Sequence, residues 1–151
     1  MQIPTDYQPA NNLLQNHVIL ITGAGDGIGR AIAMACAKHA ATVVLLGKTV
    51  SKLEAVYDDI EAHGYPQAAI YPMHLEGATP LDYQQLANTL QKNFGRLDGI
   101  VHNAAQLPYL SRLKDYEPKD WKGVMQVNLN APFLLTQACM ELLQQADAAS
   151  L

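Results

Sequence analysis

The chain has 151 residues, 49% of them hydrophobic, and a formal net charge of −4 from 10 basic and 14 acidic side chains. This length predicts one domain, with enough apolar surface to form a core without disulfides or a structural metal. The basic residues form no stripe that could neutralise phosphates, which argues against nucleic acid as a partner. The apolar stretches are too interrupted to cross a membrane, and the first residues lack the pattern of a secretory signal.

Cysteine and histidine usage bears on redox state and metal binding. Cys36 and Cys139 fit no C-x-x-C spacing, which predicts reduced thiols and a cytoplasmic protein. The five histidines share no metal-ligand spacing, so we expect no metal site.

Strand and helix patterns alternate after a polar segment, residues 1–16, which we expect to lie on the surface as an N-terminal arm. Short apolar runs predict four buried strands, at residues 17–22, 42–46, 69–73 and 97–102. Helical spacing predicts four helices, at residues 27–39, 51–63, 80–94 and 118–145. In the second helix, Ser51 and Glu54 have the spacing of a capping box. Residues 17–151 therefore predict an α/β domain with a doubly wound parallel sheet.

The most informative segment is TGAGDGIGR, residues 22–30, between the first predicted strand and helix. Its four glycines remove side chains where the backbone turns, and the helix that starts there directs N–H groups and a positive dipole end toward an anion. A diphosphate fits that description. The G-x-G-x-x-G spacing fails, because Ile28 and Arg30 stand where glycine is required, and no Walker-type Gly-Lys-Ser/Thr follows. The alternative is a glycine-rich turn that only packs strand against helix.

The end of the second predicted strand bears on the choice of nucleotide. An acidic residue there would accept the 2′-hydroxyl of NAD, but the sequence reads Leu46-Gly47-Lys48. Lys48, together with Arg30, is suited to pair with a 2′-phosphate, which favours NADP over NAD. The alternative is an ordinary solvated lysine.

Three motifs carry a resemblance to a known family: TGxxxGxG, HNAA and VNLN, at residues 22–29, 102–105 and 127–130. In these motifs the chain resembles the short-chain dehydrogenase/reductase family. The segments TGAGDGIGR, LLGK and MQVNLNAPFLLTQA resemble its YciK-like branch. The resemblance covers nearly all of the chain, but only the front part of a family member of roughly 250 residues. It implies a Rossmann-type sheet of strand order 3-2-1-4, truncated after the fourth βα unit.

The resemblance also implies hydride transfer between NADP(H) and a carbonyl or alcohol substrate, in a homo-oligomer. Asn103 would brace the central strands and lie along the cofactor, and His74 stands where the family usually carries an aspartate that touches the adenine. The implied cofactor-binding residues are Thr22, Gly23, Gly25, Asp26, Gly27, Ile28, Gly29, Lys48, His74, Leu75, Asn103 and Ala104.

Asn128 is the one member of the family's catalytic set that this sequence contains. Pro132, four residues later, has no N–H, so the helical hydrogen bond to the Asn128 carbonyl cannot form, and that carbonyl needs another partner. The resemblance implies that Asn128 kinks the helix and that its carbonyl holds a water in a proton relay. The alternative is a tolerated kink without a catalytic role.

The family's proton donor is missing from these residues. In the family, a tyrosine exchanges a proton with the substrate, a lysine four residues later lowers the tyrosine pKa, and a serine orients the substrate. None of the seven tyrosines here has lysine at that spacing, and the serine-bearing strand would begin near Ser150. We therefore expect the chain alone to be inactive. One alternative is a non-catalytic nucleotide-binding or interaction module. Another is a methyltransferase, but Lys48 at the end of the second strand argues against it.

The same shortening has a consequence for packing. We expect the fourth strand to lack an outer neighbour and to present unpaired N–H and C=O groups. We also expect the last helix to expose Phe133, Leu134 and Leu143. Both features predict self-association or, alternatively, a remainder of the protein that this sequence does not contain.

Overall fold

The computed structural model describes residues 8–151, so part of the expected N-terminal arm, residues 1–7, lies outside the described residues. Its four strands form one parallel sheet in the order β3-β2-β1-β4, which confirms the predicted fold class and strand order. The strands are β1 (Val18–Thr22), β2 (Thr42–Gly47), β3 (Ala69–Pro72) and β4 (Gly99–Val101). The helices are α1 (Gly27–Lys38), α2 (Val50–Ala62), α3 (Pro80–Phe94), α4 (Pro118–Met125) and α5 (Ala131–Gln144).

Successive side chains of β1 enter two separate cores, one on each face of the sheet. Leu20 packs among buried residues of α3 and α5, whereas Ile21 packs among buried residues of α1 and α2. Both side chains are fully buried. Because helices cover both faces, the strand reads as a continuous apolar run rather than an alternating one.

Two helix starts differ in how they are capped. The capping box predicted at Ser51 and Glu54 is wrong, because α2 begins one residue earlier, with Thr49 as its N-cap and no side-chain cap bond. The structure has a capping box at α3 instead, where the Asp82 carboxylate accepts the Thr79 backbone N–H at 2.7 Å. A box needs its first member at the N-cap, and the valine at position 50 is already helical.

The last predicted helix, residues 118–145, is interrupted in the middle. A π-helical turn, Gln126–Asn130, separates α4 from α5. The Ala131 N–H donates to the Gln126 carbonyl, five residues back, and Pro132, which follows, has no N–H to donate. At the position of the predicted kink, the structure therefore has a wider, π-helical turn.

The outer edge of β4 is partly covered, contrary to expectation. Ser150 forms a parallel bridge with Gly99: its N–H donates to the Asp98 carbonyl at 3.1 Å, and its carbonyl accepts the Ile100 N–H at 3.0 Å. The expected exposure of the last helix is also partly wrong, because Leu143 is only 4% exposed while Phe133 is 63% exposed. Leu143 packs in the same core as Leu20, where α5 meets α3.

No helix within residues 8–151 combines the length and the hydropathy needed to cross a bilayer.

Candidate functional site

A cavity of about 310 Å³ opens where the strands end, beside the point at which the strand order turns from β1 to β4. Ligands of open α/β sheets bind at this kind of crevice, outside the carboxyl ends of the strands. Residues that follow β1, β2, β3 and β4 all contribute. The lining is Gly23, Leu46, Gly47, Lys48, Met73, His74, Leu75, Glu76, Asn103, Ala104, Ala105, Gln106 and Val127.

Close backbone approach explains the glycines at the start of the segment. Gly23 has φ of +66°, and a Cβ there would lie 2.9 Å from Asn103 Nδ2. A Cβ at Gly29 would overlap the Gly23 carbonyl oxygen and lie 2.5 Å from Asn103 Nδ2. By contrast, nothing lies within 4 Å of the Cβ position at Gly27, which has φ of +50°. The outer two glycines bring strand and helix together, and Gly27 leaves open space at the helix start.

A hydrogen-bond network joins the ends of β1 and β4 behind the cavity. The Thr22 hydroxyl accepts the backbone N–H groups of Asn103 and Ala104, both at 3.0 Å, and donates to the Val101 carbonyl at 3.2 Å. The Asn103 amide nitrogen donates back to the Thr22 carbonyl at 3.0 Å. Thr22 is buried, so its role in this structure is to hold the two strand ends in place.

The helix start is already partly occupied by the chain's own groups. Asp26 is the N-cap of α1, and its carboxylate accepts the Gly27 N–H at 2.8 Å. The Ala24 N–H donates to the Leu46 carbonyl at 3.1 Å. An incoming diphosphate would therefore meet the remaining first-turn amides of α1 together with the positive end of its dipole.

A second, smaller cavity of about 180 Å³ adjoins the first and shares Gly23, Gly47 and Lys48 with it. Its remaining lining residues are Gly25, Asp26, Thr49, Lys52 and Leu53. Within residues 8–151, Lys48 is in no ion pair, whereas Lys52 pairs with Asp26 at 2.6 Å. Two cationic side chains thus line the cavity beside the glycine-rich segment.

Arg30, expected beside Lys48, lines neither cavity. Its guanidinium pairs with Asp59 of α2, with both side chains substantially exposed. Ile28 also lines neither cavity and is 74% exposed. The structure brings the other strand-end residues together: Lys48, His74, Leu75, Asn103 and Ala104 line the larger cavity.

Asn128 does not line the cavity but bonds to a residue that does. Its side-chain oxygen accepts the Gln106 N–H at 2.8 Å, and its amide nitrogen donates to the Gln106 carbonyl at 3.0 Å. Gln106 and Val127 line the cavity, whereas Asn128 does not. The paired hydrogen bonds fix the loop after β4 against the π-helical turn. The sequence predicts a role for the Asn128 backbone carbonyl only and does not indicate this role of the side chain.

Ten cavity residues are outside the expected set: Leu46, Gly47, Met73, Glu76, Ala105, Gln106 and Val127 in the larger cavity, and Thr49, Lys52 and Leu53 in the smaller one. Lys52 is the one with a readable signal, since it lies in the first turn of α2, shortly after the end of β2, and carries the charge that a phosphate attracts. No group of three or more His, Cys, Asp and Glu side chains within residues 8–151 is placed to hold a metal ion.

Comparisons with known proteins agree with this geometry. Residues 17–151 match the family model for short chain dehydrogenases. The chain is 44% identical to YciK, an uncharacterised oxidoreductase of Escherichia coli, over 96% of this chain and 58% of that protein. The chain thus spans somewhat more than half the length of this relative.

Solved structures show the same similarity. A short chain dehydrogenase from Pseudomonas syringae superposes with a TM-score of 0.92 at 44% identity, over 95% of this chain and 58% of that one. A short chain dehydrogenase from Shigella flexneri, complexed with NADP, superposes with a TM-score of 0.90 at 41% identity, over 93% of this chain and 59% of that one. The family match, the sheet order and the glycine-lined crevice all agree. The chain belongs to the short-chain dehydrogenase family.

Proposed function

We propose that the chain binds NADP(H) and forms the cofactor-binding part of an oxidoreductase that transfers hydride between NADP(H) and a carbonyl or alcohol substrate. The observation that carries this proposal is the crevice itself. It runs from the glycine-rich segment, past Lys48, to the ends of β3 and β4. A dinucleotide is an extended ligand with a central diphosphate, so it suits a crevice whose smaller cavity borders Asp26, the N-cap of α1.

The diphosphate would extend from the smaller cavity, at Gly25, onto the adjoining start of α1 at Gly27 and Ile28, which line neither cavity. Gly27 leaves open space there, and the dipole of α1 favours negative charge at that end. Gly29 and Thr22 act behind this surface, holding the strand and helix in position. The adenine would lie toward His74 and Leu75, which line the cavity beyond β3.

The 2′-phosphate of NADP distinguishes it from NAD, and Lys48 is the residue suited to bind it. Lys48 lines both cavities, and no ion pair within residues 8–151 engages it. A charge-assisted hydrogen bond from its ammonium group would favour the phosphorylated ribose. The Shigella flexneri relative, complexed with NADP, adds support for this choice.

The catalytic step needs residues that these 151 do not contain. NADPH supplies the hydride when bound, and Asn128 holds the loop beside the cavity through its two bonds to Gln106. We assign Asn128 a catalytic part as well, through its backbone carbonyl, which Pro132 leaves without a helical donor. Because none of the tyrosines has lysine four residues later, we expect the chain alone to bind cofactor without turnover.

Nicotinamide fluorescence during titration with NADPH and NADH tests the proposal. We expect saturable NADPH binding, with NADH binding at least about tenfold weaker, because one charged hydrogen bond is worth roughly that factor. Lys48→Met should weaken NADPH binding about tenfold and leave NADH unchanged. Lys92→Met, an exposed lysine of α3 that lines neither cavity, is the matched control. Tighter binding of NADH than of NADPH would overturn the assignment to Lys48.

A non-catalytic nucleotide-binding module is the second candidate. The specific observation that favours it is the absence of a Tyr-x-x-x-Lys pair from the sequence. Reading the gene past codon 151 separates the two candidates. A serine followed by Tyr-x-x-x-Lys in that region would support the oxidoreductase, and an uninterrupted reading frame without them would support the binding module.

A further inference from the structure

An ion pair between α1 and α2 lies on the rim of the smaller cavity. Lys52 Nζ is 2.6 Å from Asp26 Oδ2, and both side chains are more than half exposed. The two residues line this cavity together with Lys48. The pair is therefore placed where the 2′-phosphate would bind, a placement that rests on the function proposed above.

A second ion pair joins the same two helices away from the cavities. Arg30 of α1 pairs with Asp59 of α2, but neither residue lines a cavity. Packing of α1 against α2 alone would be served by either pair. The pair at the cavity rim differs because its cation can reach a ligand.

The side chain of Lys52 is positioned by Gly25. A Cβ at Gly25 would lie 3.0 Å from Lys52 Cβ and 3.5 Å from Leu53 Cδ2. The missing side chain at position 25 thus leaves room for the Lys52 stem to lie against the glycine-rich segment. The ammonium group at the end of that stem pairs with Asp26 at the rim.

Asp26 places a negative charge beside Lys52 on the cavity rim. The hydrogen bond from Lys52, with a second from the Gly27 N–H, lowers the pKa of the Asp26 carboxyl, which is therefore ionised at neutral pH. A carboxylate beside a phosphate repels it, and Lys52 is the cation that neutralises this carboxylate. A phosphate that enters the cavity competes with Asp26 for Lys52.

We propose that Lys52 is a second specificity-determining residue for the 2′-phosphate, which it binds by exchanging its Asp26 partner for the phosphate. Lys48 then supplies the cation that is free before binding, and Lys52 the cation that is released by exchange. The carboxylate of Asp26 limits NADP affinity, since it competes for Lys52 and repels the phosphate. Removing the two members of the ion pair therefore has opposite effects.

The test measures the dissociation constants of NADPH and NADH for two variants of the 151-residue chain. Lys52→Met keeps the length of the side chain and removes the charge; we expect NADPH to bind about tenfold more weakly. Asp26→Asn keeps an N-cap, since asparagine caps helices as well as aspartate does; we expect NADPH to bind a few-fold more tightly. NADH binding should change less than twofold in Lys52→Met. In Asp26→Asn it should tighten less than NADPH binding does, because Asp26 also lies beside the diphosphate that both nucleotides carry.

The matched controls are Lys92→Met and Asp58→Asn, exposed residues that line neither cavity; neither should alter the NADPH-to-NADH ratio. An unchanged ratio in Lys52→Met, or weaker NADPH binding in Asp26→Asn, would overturn the exchange. If the wild-type chain bound neither nucleotide while retaining its helical circular dichroism, the proposed function would fail instead. Titration with 2′,5′-ADP and with 5′-AMP, which lacks the 2′-phosphate, checks that the effect of each substitution on binding depends on that phosphate.

Discussion

Two regions on either side of β4 are built in different ways. At the junction, where β1 and β4 end, the Thr22 hydroxyl bonds to three backbone groups and Gly29 packs against Asn103. On the outer face, formed by β4 and α5, a shallow apolar cavity of about 590 Å³ is lined by residues that include Leu129, Phe133 and Met140. These three side chains are exposed.

The difference separates positions that shape the crevice from an exposed apolar surface. Backbone positions at the junction are fixed by groups within the chain, so a small change there alters both stability and the crevice. The outer face is joined to the rest of the chain by few polar contacts, among them the His102–Thr136 hydrogen bond and the Ser150 bridge to β4. We expect changes there to leave the fold intact.

Gly29→Ala should have the largest effect, because the added methyl group overlaps the Gly23 carbonyl and crowds Asn103. Overpacking a closely packed site of this kind costs about 2–3 kcal/mol of unfolding free energy. Urea unfolding measures it. The matched control is Gly77→Ala, where the nearest atom to the new Cβ, His74 Nδ1, is 3.9 Å away. Equal stability losses in the two variants would contradict the packing account of the junction.

Thr22→Val comes next, since it preserves shape and removes the hydroxyl. The N–H groups of Asn103 and Ala104 lose their acceptor, and we expect a loss of about 2 kcal/mol in unfolding free energy. Thr42→Val is the control, because Thr42 lies in the adjacent strand β2 and its hydroxyl makes no hydrogen bond within residues 8–151. The control should change stability by less than about 0.5 kcal/mol. A Thr22 variant as stable as this control would show that the hydrogen-bond network does not contribute to the free energy of unfolding.

Phe133→Gln should have the smallest effect on stability, below about 0.5 kcal/mol, because the side chain is already exposed. We propose that the outer face, where apolar side chains meet solvent, promotes self-association. Sedimentation at micromolar concentration should therefore show weaker association in Phe133→Gln than in the unmodified chain. A clean monomer in the unmodified chain would contradict this role for the outer face.

The fold could be predicted because its signals are local. Each strand is a short apolar run and each helix follows within a few residues, so the alternation alone indicates a parallel sheet. Pro132 indicated a kink, but whether the backbone relaxes into a π-helical turn depends on how α4 and α5 pack. The capping box was also misplaced: Ser51 and Glu54 have a suitable spacing, but α2 begins at Val50, with Thr49 as its N-cap.

The site was less predictable, since its contacts join residues far apart in sequence. Asn128 bonds to Gln106, 22 residues away, and Lys52 meets Asp26, 26 residues away. Sequence spacing indicates which elements meet, but it does not indicate which side chains meet across them. Lys48 was identified because it directly follows a strand whose end was predicted, whereas Arg30 turned toward Asp59, a partner that only the packing of α1 on α2 reveals.

The central claim is that the backbone around residues 23–29 holds the linked phosphates of NADP(H). Backbone amide chemical shifts recorded by NMR during titration with NADPH test it most directly. We predict saturable shifts concentrated at Gly25, Ile28 and Gly29, accompanied by Lys48 and absent at Gly64, which lies beyond the far end of α2. Saturable binding that leaves these amides unchanged and shifts residues elsewhere would contradict the account.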